Sequence, residues 1–356
     1  MKRTVLFLAA LMTVFMSWGQ MSKNESKSLN AFLSQTTANG QTNAALLGVG
    51  PGNAAAVPGI KTAGGHVTEI DLRDKGLAGS LNLSNFPALT KVDVSGNKLS
   101  AVTLANNPVL VGVNASKNRL KSFSATGCPA MQNIKLNHNK LSEMDLSSMP
   151  LLKKLNIAEN QFDALDVSSS ANLEMLNCIG NDLQVLNVTN CTALKNLYAA
   201  FNDLTEMTLT GLTKLETINI NGNKIQKLYL QGLPSLNALL CSDNHMTNMA
   251  LADLKNLSEL WAPYNDLTKV TVEKVPNLAF VNLEWNDLTQ LFLSNQTFLQ
   301  RVNVSNNQLI TLDVSFCPML RTINVSQNDM LSDLRTEGDS QLTNVIGYSD
   351  WDPYWE

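Results

Sequence analysis

Histidine is scarce in this chain. Only His66, His138 and His245 occur among 356 residues, far apart in sequence. No two of them offer the convergent ligands of a zinc site, or the close partner that a histidine base needs. The five cysteines show no zinc spacing either. Gly48-Val49-Gly50 lacks the flanking strand and helix of a phosphate loop. The chain is therefore expected to be no enzyme and to hold no metal and no cofactor. Charge of either sign is also in short supply. A formal balance of −4 gives no overall reason to seek nucleic acid or an anionic membrane. Long apolar runs are missing as well: the run from Val5 to Phe15 is too short to span a bilayer comfortably. It follows Lys2 and Arg3 and precedes Ser17-Trp18-Gly19, and so reads as a signal peptide over residues 1–19. No cysteine follows to carry a lipid. Export is expected, to an extracellular, cell-surface or periplasmic location, with no membrane insertion after cleavage.

What is abundant is repetition. Asn97, Asn118, Asn139, Asn160, Asn181, Asn202, Asn223, Asn244, Asn265, Asn286, Asn307 and Asn328 each lie 21 residues from the next. Apolar pairs precede them, as in Val92-Asp93-Val94, Leu155-Asn156-Ile157 and Ile218-Asn219-Ile220. A further leucine column runs from Leu152 and Leu173 to Leu320 at the same step. This is the leucine-rich-repeat pattern. It predicts an α/β repeat solenoid with a parallel β-sheet on its concave face and a mostly extended, helix-poor convex side. Each turn is too small to bury a core alone, so stacked turns share one. The asparagine is expected to satisfy backbone groups where the chain leaves the strand, a structural ladder rather than a binding site. The second half of the turn, as in Leu165-Asp166-Val167 and Leu312-Asp313-Val314, alternates in, out, in. It reads as a second extended segment, with a short helical turn near the proline column that includes Pro108, Pro129 and Pro150.

The ends depart from the pattern, as caps do. Residues 20–65 read as an N-terminal cap: an amphipathic helix with Leu29, Phe32 and Leu33 on one face, then a Gly/Ala/Pro-rich connector from about Ala38 to Gly65. Residues 66–334 form the solenoid, about 13 turns at this period. Lys75 stands in for the first asparagine, and Leu334 falls one residue late, where the register is expected to break. Residues 335–356 form a C-terminal cap or tail whose Trp351, Tyr354 and Trp355 are expected to cover the last turn.

Two phrases carry a family likeness. One is leucine-aspartate-valine-serine, at Leu165-Asp166-Val167-Ser168 and Leu312-Asp313-Val314-Ser315. The other is a cysteine in the third strand position, Cys178 and Cys241. With them the chain resembles bacterial secreted and surface leucine-rich-repeat proteins with short 21-residue repeats, of the internalin J type. The resemblance implies a recognition or adhesion role. Fewer cysteines occupy the column than in that type. Cys178 and Cys241 lie three turns apart, about 14 Å at strand spacing, and Cys128, Cys191 and Cys317 are spread at least as widely in another column. A disulfide needs Cα atoms roughly 4.4–6.8 Å apart, so free, buried thiols are expected.

Binding must use exposed columns. On the concave sheet the outward column is mostly asparagine, a side chain suited to laddering along the sheet. Tyr198, Leu240 and Trp261 break it. Phe201, Tyr264 and Trp285 precede ladder asparagines, and Phe280 precedes its strand. Tyr198, Leu240, Trp261, Tyr264, Phe280 and Trp285 are the candidate binding residues, because large exposed aromatic patches mark interaction sites. Mutual packing of the rings is the plain alternative. Lys98, Arg119 and Lys140 represent a basic early region, and Glu259, Asp266 and Glu284 an acidic later one. The partner is expected to be a protein, alternatively a glycan; a ligand-free scaffold is the third reading. The aspartate pairs Asp182/Asp203 and Asp266/Asp287 raise calcium, but without further oxygen ligands they read as solvated charges.

Overall fold

The structure is a computed structural model that describes residues 21–348. The expected signal peptide and the closing aromatics Trp351, Tyr354 and Trp355 lie outside the described residues. The chain divides into two compact units, residues 1–161 and 162–356.

The first unit opens with helix α1 (Lys23–Leu33), which buries Leu29, Phe32 and Leu33 on one face as the spacing predicts. It also buries Glu25. That carboxylate accepts from the Val67 N–H at 3.1 Å and lies 3.1 Å from His66 Nδ1, which ties the helix to the start of the sheet. The connector is more ordered than its composition suggests. It holds the short helix α2 (Asn43–Leu46), a 3-10 turn (Ala54–Ala56) and the strand Ile60–Ala63, antiparallel to His66–Asp71. Gly59 allows this strand to close in, since a Cβ there would sit 2.0 Å from the Asp71 carbonyl oxygen.

Two side-chain amides cover the edge of a second sheet. Gln35 accepts from the Ser80 N–H at 2.7 Å and donates back to its carbonyl at 2.8 Å. Asn43 does the same with Ala78, at 3.0 and 2.9 Å. They replace the neighbouring strand that an edge otherwise lacks.

From there each turn contributes two short strands. In the first unit the first sheet contains Lys91–Asp93, Gly112–Asn114, Asn133–Lys135 and Lys154–Asn156, all parallel and in register at the repeat period. In the second unit the corresponding strands run from Met175–Asn177 to Asn344–Ile346. The central residue of each strand points inward; Leu176, Leu197, Ile218 and Leu239 have no exposed surface. The leucines from Leu173 to Leu320 are likewise sealed. The second extended segment forms strands too, in small separate parallel sheets.

The expected helical turn near the prolines is absent: no helix follows Ala56 among the described residues. The reason is local. Asn85, Asn106, Asn190 and Asn295 hold positive φ values of 59–67° at this corner, which interrupts a right-handed helix. The break expected at Leu334 is also softer than the spacing suggests. Leu334 pairs with Leu312, and Asn344–Ile346 pairs with Thr322–Asn324, so the extra residue is absorbed in a turn and strand pairing continues.

The asparagine ladder works through several bonds per residue. Asn202 donates from Nδ2 to the carbonyls of Cys178 (3.0 Å) and Ala199 (3.1 Å), and its Oδ1 accepts from the Leu183 N–H (3.1 Å). One side chain thus stitches its own turn to the preceding one. The ladder residues from Asn202 to Asn328 repeat this carbonyl pattern within the second unit, and Asn97, Asn118, Asn139 and Asn160 do so within the first.

Candidate aromatic recognition face

The outward asparagines of the first sheet are not idle. In the second unit Asn177, Asn219, Asn282, Asn303 and Asn324 each accept, through Oδ1, the N–H two residues on, at 3.0–3.2 Å. This is the Asx-turn geometry. It differs from the lateral ladder expected from sequence, because the amide oxygen is taken up within its own turn. The column therefore has a structural task, and a residue that cannot perform it needs a reason to be there.

Tyr198, Leu240 and Trp261 are such residues. In two of these turns the donor is dealt with otherwise. The Ser242 N–H turns to Asn221 Oδ1 at 2.8 Å, and Pro263, two residues after Trp261, has no N–H to satisfy. The Leu240 and Trp261 positions are thereby released from folding without a buried, unpaired donor. Tyr198 and Leu240 are half-buried, whereas Trp261 is 40% exposed. Leu240 pairs directly with Trp261 in the sheet, with Tyr198 two strands further off.

Trp261 borders a cleft of about 420 Å³ with Glu259, Phe280, Asn282, Arg301 and Asn303. Its register is explicit: Glu259, Phe280 and Arg301 occupy one row, and Trp261, Asn282 and Asn303 the next. The Trp261 indole N–H donates to Glu259 at 3.4 Å, which holds the ring on the sheet. Glu284 accepts from Asn303 at 2.8 Å beside it. The Arg301 guanidinium has no hydrogen-bond or ion-pair partner among the described residues. The cleft thus combines an aromatic floor and wall, amides, one engaged carboxylate and one free cation.

Tyr264 and Trp285 are elsewhere. They occupy the turn just before the ladder asparagine, with φ of 56° and 54°, and stack on each other at 6.0 Å and 12°. Phe201 shares that column and lies over Gly222, where a Cβ would come within 2.7 Å of its ring. The rings that sequence grouped on one face thus divide between the sheet and the turn that follows it. In the turn column Tyr264 packs on Trp285 and Phe201 on Gly222.

The cysteines are all free and buried. Burial pushes the Cys178 thiol up to about 12 and those of Cys191 and Cys317 up to about 11, far from nucleophilic behaviour at neutral pH. Cys128, Cys191 and Cys317 donate to the carbonyls of Leu104, Val167 and Leu293. Asn107, in the same column, donates to Leu83 in the same way. Their role is that of small buried donors, which thiol spacing alone did not reveal. Three of the four aspartates weighed as calcium ligands have other partners: Asp203 meets Lys224, Asp266 meets His245, and Asp287 accepts from Gln308. No group of three or more candidate metal ligands occurs among the described residues. No helix among them is long and apolar enough to cross a membrane.

No family model matches the chain, and no curated protein matches it. Solved structures do. The functional domain of InlJ from Listeria monocytogenes, described as including a cysteine ladder, is 25% identical with a TM-score of 0.51 over 68% of this chain; the match spans 54% of that one, about half its length. The leucine-rich-repeat protein LIC12759 of Leptospira interrogans is 21% identical with a TM-score of 0.57, covering 78% of this chain and 83% of that one. YopM, a leucine-rich effector protein from Yersinia pestis, is 21% identical with a TM-score of 0.52, covering 80% and 77%. Together with the two strands per turn and the asparagine ladder, these likenesses make the chain a leucine-rich-repeat solenoid by fold.

Proposed function

We propose that the chain is an exported, non-enzymatic recognition module. It binds a protein partner on the exposed face of the first sheet in the second unit, at the cleft beside Trp261. The observation that carries this is the loss of the column's structural asparagine at a position where Pro263 removes the need for it. A large aromatic ring, 40% exposed, stands there instead. Phe280 supplies apolar contact, and Arg301 and Glu259 supply polarity at either side. This matches the anatomy of a protein-binding hot spot. Tyr198 and Leu240 extend the surface along the sheet, and Tyr264 and Trp285 add an exposed stacked pair in the turns that follow the strands. The N-terminal segment supports export, and the internalin-type likeness supports a surface or extracellular setting.

A glycan ligand is the second reading, favoured by the row of amides beside the Trp261 ring. A displayed random-peptide library and a glycan array, each probed with wild type and Trp261→Ala, separate the two. Enrichment of peptides by the wild type alone supports the protein reading. Array binding that Trp261→Ala removes supports the glycan reading. Peptide ligands that bind Trp261→Ala as well as wild type sink the assignment of the site.

A further inference from the structure

The second extended segment has an outward column of its own, with its own structural task. Asp166, Asn187 and Asp313 each accept the N–H two residues on, at 2.8, 3.1 and 3.0 Å. Between Asn187 and Asp313 the column reads Thr208, Tyr229, Ala250, Thr271 and Phe292. For five successive turns the Asx turn is given up.

The same stretch contains a trough of about 1010 Å³, lined by Lys227, Tyr229, Asn248, Ala250, Lys269 and Thr271 among others. It lies where the second layer of strands is split. Lys227–Tyr229 pairs with Glu206–Thr208, and Asn248–Ala252 pairs with Lys269–Glu273, but no ladder joins the two pairs. The exposed Ala250 and Ala252 make a low floor. Tyr229, 40% exposed, stands as an aromatic wall on one side.

The lining identifies the ligand chemistry. Lys227 and Lys269 hold the first position of strands two turns apart. They flank Asn248, and neither ammonium has an acidic partner among the described residues. Lys224 and Lys274 nearby are, by contrast, paired with Asp203 and Asp253. The carboxylate in the lining, Asp266, faces His245 at 3.5 Å. Neutral hydroxyls and amides (Thr247, Asn248, Thr271) line the trough around the cations. One ring face, neutral hydrogen-bonding groups and two unpaired cations suit a sugar chain with anionic substituents. Its apolar ring face stacks on Tyr229, its hydroxyls meet the amides, and its anions meet the lysines. A nucleic-acid strand is less well served, since a single ring offers no platform for successive bases. A protein partner would find one exposed large apolar side chain in this lining, Tyr229, where such interfaces cluster several.

We propose that this trough is a second binding site, for an acidic oligosaccharide carrying carboxylate or sulfate groups. It is independent of the Trp261 cleft. The test is calorimetric titration of the full chain at low salt with three probes: oligogalacturonate, a heparin-derived oligosaccharide and neutral maltoheptaose. At least one acidic probe is expected to bind and the neutral one not; which acidic probe binds tells carboxylate from sulfate. Lys227→Gln with Lys269→Gln should weaken binding by about tenfold or more. Ala250→Trp, at an exposed position, should block the floor, and Tyr229→Ala should weaken binding without refilling the trough. Trp261→Ala should leave it unchanged. Absence of binding by both acidic probes overturns the proposal. So does equal binding of maltoheptaose, undiminished binding by Ala250→Trp, or equal competition by polyglutamate.

Discussion

Asp339 should make the last turns of the protein sensitive to pH, and Asp339→Asn should remove that sensitivity. Its Oδ1 accepts from the Cys317 N–H at 2.7 Å, while Oδ2 is buried without a partner. Burial pushes the carboxyl up to about 7, and the Asp313 charge adds to the effect. The folded form therefore favours the neutral acid, whereas the unfolded chain titrates near the ordinary value of about 3.9. Stability is full below that value, falls as pH rises toward 7 and is flat above it. Three pKa units correspond to at most about 4 kcal/mol, and solvent contact on the half-buried side chain brings this nearer 2 kcal/mol. In the same column Asn107 accepts from the Phe86 N–H at 2.8 Å and donates to the carbonyls of Leu104 and Leu83 at 2.7 and 2.9 Å. Asparagine at 339 would supply the same donor at every pH. Because terminal turns of a repeat array open before the whole, the readout is hydrogen exchange of the amides around Val314–Cys317 and Asp333–Arg335 at pH 5 and pH 8. Wild type should lose protection between the two after correction for intrinsic exchange, and Asp339→Asn should not. Equal protection of both proteins at pH 8 would refute the reasoning.

Removal of one ladder residue, Asn202→Ala, strips three carbonyls and one N–H of this partner and should cost about 2–4 kcal/mol in urea unfolding. Gly59→Ala places a Cβ against the Asp71 carbonyl and should loosen the N-terminal strand, seen as faster proteolysis near residues 57–65. Thiol-specific reagent at pH 8 should leave all five cysteines unmodified in the native protein and label them once it is unfolded, since burial holds Cys178 and Cys191 well above the ordinary thiol range.

The period made most of this architecture readable in advance. A side chain that repeats every 21 residues must meet its own kind in the next turn, so the asparagine ladder and sealed leucines followed from spacing alone. Leu29, Phe32 and Leu33 likewise announced the face of α1. The cap was less legible. Gly, Ala and Pro between Ala38 and Gly65 look like a linker, yet Gln35 and Asn43 act through strand partners 35–45 residues away, a relation no local pattern contains. The helical turn near the prolines failed because positive φ at the asparagines beside them carries no periodic signal. The division of the aromatics between strand and turn was hidden for a related reason. Trp285 and Trp261 fall in adjacent turns of sequence, but one residue sits on the strand and the other in the left-handed turn after it, where side chains point elsewhere. The Asx turns were half visible: the aspartate-valine-serine phrase stands in the sequence, but the hydrogen bond that makes it recur does not.

On the proposed function, outward positions abandoned by their structural residue are kept for binding, not folding. Trp261→Asn tests it most directly, by restoring the column's usual residue in a turn where Pro263 leaves it nothing to cap. Thermal unfolding and peptide-library binding, measured on the same preparation, should show stability within about 0.5 kcal/mol of wild type together with loss of the enriched ligands. A variant that loses about 2 kcal/mol or more, or one that keeps its ligands, would contradict it.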